Sequence, residues 1–179
     1  MPEPDGSGPG HDLARLITSL DRHGVAYLLA GGAAARAYGA TRLTEDADCV
    51  VRRERDNLDR LASAMRELHA RLRIAGMSDE ESRQLPVQLD GAMLASAEMS
   101  TWMTDAGGFD VLPGLVDAEG RLVPYEELAT RERLIEGEGF TIRAAALEDI
   151  ITAKERADRP KDREALPELR ALRRADTAP

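Results

Sequence analysis

The chain has 179 residues, 42% hydrophobic and 32% charged, which fits one globular domain with a sizeable core. Aromatic residues make up only 3%, so the core must be aliphatic. The formal net charge of −9 repels nucleic acid at long range, so an RNA or DNA partner would need a local basic patch, whereas cationic substrates and metal–phosphate complexes suit the balance.

Cys49 is the single cysteine, which excludes an intrachain disulfide and points to a reducing compartment. Residues 1–10 carry no apolar run of signal-peptide type, and no stretch approaches the ~20 apolar residues of a membrane span. The expectation is a cytoplasmic chain with no membrane association.

In chain order, residues 1–10 are polar and rich in Pro and Gly, and read as a disordered tail. Over 11–23, Leu13, Leu16, Ile17 and Leu20 recur at helical spacing, and Gly24 ends the helix. Val25–Ala30 is a short apolar run of buried-strand type. Gly31-Gly32 breaks it, a short helix follows over 33–38, and Ala47–Val51 is a second strand. An amphipathic helix is expected over 56–74, with Leu58, Leu61, Met65, Leu68 and Leu72 on one face.

Residues 76–86 read as a loop. Strands are expected at 87–89 and 99–103, while 92–97 reads equally as helix. Gly107–Leu112 is a strand turned by Pro113-Gly114, 125–139 is ambiguous, and 140–143 is a short strand. Two helices, 147–157 and 162–173, flank Arg159-Pro160. The organisation is one domain over 11–174 and a polar tail over 175–179. Strands alternating with helices give an α/β (α+β) class, a small mixed sheet flanked by helices.

The chemistry concentrates in Leu28–Val51, LLAGGAAARAYGATRLTEDADCVV. The second strand opens with Asp46 and Asp48, and residues i and i+2 of a strand share a face. Two carboxylates side by side repel each other, and a divalent cation makes the arrangement tolerable. Gly31-Gly32 after a buried strand offers bare backbone N–H groups to a triphosphate. Alone, an Asp-x-Asp is usually a solvated turn and a Gly-Gly only a turn. Their joint placement around one strand–helix–strand unit favours a phosphate-and-metal site.

These residues, Gly31-Gly32, Gly39, Arg42, Thr44, Asp46 and Asp48, resemble the signature of the DNA polymerase beta-type nucleotidyltransferase superfamily. The branch they most resemble has Gly-Gly followed by Arg-x-Thr-x-Asp-x-Asp, as in abortive-infection toxins of toxin–antitoxin pairs. The superfamily's common form is Gly-Ser, and the alanine at Ala33 is a departure that the toxin-like branch shares. The resemblance implies a third carboxylate on a neighbouring strand. TDAGGFDVL, over Thr104–Leu112, supplies Asp110 between Phe109 and Val111, with Asp105 as the rival.

LEDIITAKERADRPKDREALPEL, from Leu147, resembles the same branch. Lys154 falls on or beside the apolar face of its helix, where a lysine needs a partner: a triphosphate oxygen or an acidic residue. Asp162 serves equally as a first-turn residue or a functional one. Lys161, Arg159 and Arg163 are phosphate contacts or a solvated face.

The resemblance implies transfer of a nucleoside monophosphate from a triphosphate to an acceptor hydroxyl. Asp46, Asp48 and Asp110 would hold two Mg²⁺ ions, and Lys154 would act with them. Gly31, Gly32, Arg42, Thr44, Lys154 and Lys161 would bind the nucleotide. The implied acceptor is RNA such as the tRNA 3′ end, in a toxin with a cognate antitoxin. An antibiotic nucleotidyltransferase of aminoglycoside type, and a non-catalytic nucleotide-binding module, are the alternatives. His11, His23 and His69 lack metal-ligand spacing, Ser96, Ser100 and Thr101 lack an activating neighbour, and Cys49 and Trp102 read as core.

Overall fold

A computed structural model describes residues 12–176 of the chain. The tail expected over 1–10, and residues 177–179, lie outside the described residues. Helix α1 (Leu13–Arg22) is capped by Asp12, whose side chain accepts from the Arg15 backbone N–H. Leu16, Ile17 and Leu20 are buried along one face, as their spacing requires. Strand β1 (Tyr27–Ala30) is buried throughout and runs directly into helix α2 (Gly31–Ala37). Strand β2 (Asp46–Val51) pairs antiparallel with β1.

Helix α3 (Arg55–Glu67) stops well short of the expected 74. Leu68 caps it, His69 takes a left-handed φ of 49°, and Arg71–Leu72 becomes strand β3. The cause is an ambiguous pattern. Leu72 stands four residues after Leu68, as a helix face demands, but Ala70, Leu72 and Ile74 also alternate as a strand does. Pairing with β4 (Ser100–Thr104) decides for the strand.

The loop expected over 76–86 contains helix α4 (Asp79–Arg83), opened by a capping box between Ser78 and Glu81. The Ser-x-x-Glu spacing is the sequence signal for it. Residues 87–89 form no strand; the Leu89 carbonyl accepts from Arg66 at 2.5 Å. Of the two readings of 92–97 the helix holds, as α5 (Gly91–Ser96), capped by Asp90.

Strand β5 (Gly107–Leu112) has the expected bounds. After the turn come β6 (Gly114–Val116) and β7 (Leu122–Pro124), paired with each other. The ambiguous stretch resolves into α6 (Tyr125–Leu128), a 3-10 turn (Ala129–Arg131) and β8 (Arg133–Glu136). Strand β9 (Thr141–Ala144) and helices α7 (Leu147–Ala157) and α8 (Pro160–Asp176) complete the chain. Proline suits the first position of α8, where its missing N–H has no helical partner to lose.

Seven strands form one mixed sheet in the order β3-β4-β5-β2-β1-β9-β8, and β6 and β7 form a separate two-stranded sheet. Helix α3 packs on α1 and α5, while α7 packs on α8, α2 and β6. Among the described residues, no helix is long and apolar enough to cross a membrane.

Register positions the site. β2 and β5 run parallel, with Asp48 opposite Asp110 and Asp46 opposite Gly108, and Thr101 of β4 lies opposite Asp110. Alternation sends Ala47, Cys49, Phe109, Val111 and Trp102 to the other face, where all are buried. One face of the sheet is therefore core, and the carboxylates stand half-buried on the other.

Candidate active site

Two glycines make room for the carboxylates. Gly31 has φ +57°, and a Cβ there would stand 1.8 Å from Asp48 Oδ2; a Cβ at Gly108 would stand 1.8 Å from Asp46 Oδ1. Each carboxylate thus lies in space that any other residue would fill. The positive φ of Gly31 adds a second reason, because L side chains avoid that region.

Crowding and burial shift the acids. Burial, reinforced by the Asp110 carboxylate, pushes Asp48 up to about 6, against the opposing charges of Lys161 and Lys154. Burial also raises Asp110, which a hydrogen bond from Thr101 partly offsets. Asp110 Oδ1 is buried with no hydrogen-bond partner. Arg73, just beyond β3, approaches Asp46 Oδ1 at 3.4 Å.

The carboxylates open onto a cavity of about 400 Å³. The residues expected to hold the metal and the nucleotide line it: Gly31, Gly32, Arg42, Thr44, Asp46, Asp48, Asp110, Lys154 and Lys161. Helix α7 carries Lys154 on the turn after the buried Ile150 and Ile151. Its ammonium donates to Asp162 Oδ1 at 3.1 Å, and Arg159 donates to Asp162 Oδ2 at 2.6 Å. The partner of Lys154 is therefore an acidic residue of α8, outside the β2–β5 carboxylate cluster. Burial works to raise the Asp162 carboxyl, but the bonds from Arg159 and Lys154 win and hold it below the usual range.

The segment between α2 and β2 is tied down over this cavity. Thr41 donates its backbone N–H and its hydroxyl to Glu168 at 2.9 Å each, and Arg42 donates to Glu164 at 2.7 Å. Thr44 donates its hydroxyl to the Asp46 carbonyl at 3.0 Å. Asp105, the rival third carboxylate, instead pairs with His69 and Arg15. Trp102 is buried and donates its indole N–H to Ser100.

Arg73 and the buried anchor Asp162 complete this constellation. A motif was legible for Asp162, but its enclosure was not. Nothing in the sequence marked Arg73, because it falls where the pattern continues a helix.

Among the described residues, as placed, no group of three or more His, Cys, Asp or Glu could by itself hold a metal ion. The donors nevertheless suit a hard divalent cation, which takes oxygen ligands. Asp110 Oδ1 is an orphaned buried oxygen, and the Gly31 and Gly108 cradles keep Asp48 and Asp46 beside it.

The comparisons with known proteins agree with this architecture. A solved structure from Thermotoga maritima, described as a candidate nucleotidyltransferase, aligns with a TM-score of 0.53 at 15% identity, covering 87% of this chain and 88% of that one. At that identity the likeness shows the fold. No curated protein matches the chain. The family model described as "Nucleotidyl transferase AbiEii toxin, Type IV TA system" matches residues 12–166. The chain therefore belongs to the AbiEii family of type IV toxin–antitoxin systems, and is a nucleotidyltransferase.

Proposed function

We propose that the protein transfers a nucleoside monophosphate from a nucleoside triphosphate to the 3′ hydroxyl of an RNA, such as a tRNA, with Mg²⁺ as cofactor. The observation that carries this is a cavity lined both by the carboxylates Asp46, Asp48 and Asp110 and by the cations Lys154, Arg159 and Lys161. A triphosphate needs both: anions to hold its cations, and cations to meet its remaining charge.

In this reading Asp46, Asp48 and Asp110 hold the Mg²⁺ ions, two being the number that a cluster of this kind takes. When bound, they lower the pKa of the attacking hydroxyl and neutralise charge on the phosphates. Asp162 holds Lys154 and Arg159 at the cavity wall, so their charges meet the phosphates without first having to be ordered. Lys161, exposed at the start of α8, adds a third charge. Gly31 and Gly32 let the phosphates approach the backbone. Arg42 and Thr44 sit on the segment that covers them.

The acceptor oxygen forms a bond to the α-phosphorus, the bond from that phosphorus to the bridging oxygen breaks, and pyrophosphate leaves. Asp110 also accepts the hydroxyl proton. Membership of a toxin family supports an RNA acceptor and a cognate antitoxin. A triphosphate and RNA substrate, with Cys49 as a lone buried thiol, suits the cytoplasm.

The test is to incubate the purified protein with each labelled triphosphate, Mg²⁺ and either total RNA or an aminoglycoside panel. Label in RNA is expected. The net charge of −9 favours a cationic small molecule as the second acceptor, and label only in that product would replace RNA by it. No label in either, with nucleotide still bound, would make the protein a binding module.

A further inference from the structure

The Arg73–Asp46 pair lies on the face of the sheet that carries the carboxylates. Arg73 N–H donates to the Thr101 carbonyl at 2.8 Å, extending the β3–β4 ladder, and Thr101 is in register with Asp110. Alternation therefore puts Arg73, Thr101 and Asp110 on one side. From there the guanidinium reaches Asp46 Oδ1 at 3.4 Å, with 52% of its side chain exposed. Its charge also acts on Asp110. Arg73 follows the edge strand β3 and reaches the carboxylates from that end of the sheet, whereas Lys154, Arg159 and Lys161 come from α7, α8 and the turn between them. Arg71, on the same face, is occupied differently, by Asp79.

A cluster of close carboxylates is costly without a counter-charge. In the cation-free protein Arg73 supplies one from within the chain. We propose that Arg73 is a tethered counter-ion for Asp46, which a divalent cation displaces on binding, so that Arg73 sets the affinity of the site for its metal. This rests on the metal site proposed above for Asp46, Asp48 and Asp110. Arg73 is then a positioning residue. It holds Asp46 in place before the cation arrives and raises the cation concentration needed for occupancy.

The test measures Mn²⁺ binding to the full chain without nucleotide, by calorimetry and by the loss of the free Mn²⁺ resonance signal. Wild type, Arg73→Gln, Arg73→Lys and Arg71→Gln are compared, with circular dichroism melts to verify folding. Arg73→Gln is expected to bind Mn²⁺ about three- to ten-fold more tightly, the scale for removing one half-solvated unit charge beside the site. Arg73→Lys, which keeps the charge, is expected to stay near wild type, and Arg71→Gln to be unchanged.

Equal or weaker binding by Arg73→Gln overturns the proposal and leaves the metal site standing. Tightening by Arg73→Lys as large as that by Arg73→Gln overturns it too, because the effect would not follow charge. If none of the proteins binds Mn²⁺, the proposal falls together with the metal site.

Discussion

Lys154 donates a hydrogen bond to Asp162 Oδ1 at 3.1 Å, and Asp162 is fully enclosed, with 0% exposure. Arg159 holds the other oxygen of the same carboxylate. Removing the lysine therefore leaves the buried anion with a partner. Lys154→Met is expected to keep the fold and to lose less than the about 3–5 kcal/mol typical when a buried charge is left uncompensated. Transfer should fall by about 10²-fold or more, the scale of one electrostatic stabiliser. Urea unfolding and initial rates check both halves, and wild-type transfer would remove Lys154 from the machinery.

Asp162 itself should shape acid stability. Its carboxyl is held below the ordinary range in the folded protein, so its contribution is present above the unfolded value and lost as pH falls through the folded one. The window lies below about pH 4. Asp162→Asn should be less stable than wild type at pH 7, with the difference shrinking as pH drops below that value. A difference constant from pH 7 to pH 3 would contradict this account.

Asp48 carries the opposite sign. Its value is raised to about 6 by burial and Asp110, so its ionisation destabilises the fold as pH rises through 6. Without divalent cation, Asp48→Asn should be more stable than wild type by up to about 3 kcal/mol at pH 8 and no more stable at pH 4. Transfer should be abolished. Denaturation midpoints at the two pH values decide the first point, and retained transfer would refute the second.

Gly108 tests the cradle. An added methyl would stand 1.8 Å from Asp46 Oδ1, so Gly108→Ala must turn that carboxylate away. We expect a folded protein destabilised by about 1–3 kcal/mol, as overpacking usually gives, with transfer reduced far more than stability. Unimpaired transfer would show that Asp46 has freedom that this geometry denies it.

Ligand-linked stability tests the cavity as a whole. Mg²⁺ with a triphosphate should raise the melting temperature, because binding to the folded state stabilises it by mass action. Mg²⁺ alone should do much less. A melting scan unmoved by millimolar nucleotide with Mg²⁺ would count against the nucleotide site itself.

Some of this was legible in local pattern. The bounds of β5 and α7 follow from apolar periodicity and flanking breakers, because those signals act within a few residues. The Asp46/Asp48 pair is equally local: a strand's period of two puts both carboxylates on one face, whatever the strand pairs with. Short elements were another matter. β3, β6 and β7 are two or three residues long, too short for any period to declare itself, and their partners in the ladder define them. The end of α3 was misjudged for the same reason, since only pairing with β4 separates strand from helix over Ala70–Ile74.

The sequence by itself determined the sheet-and-helix class, the paired aspartates, the glycine break and the lysine-bearing helix, all of them properties of neighbouring residues. Only the tertiary structure decided that Asp48 faces Asp110 across β2 and β5, that Asp162 closes on Lys154 and Arg159, and that Arg73 lies on Asp46. Those are relationships between strands and helices distant in the chain. Register, packing and the exclusion of water set them, and no local pattern encodes where a side chain's partner will stand.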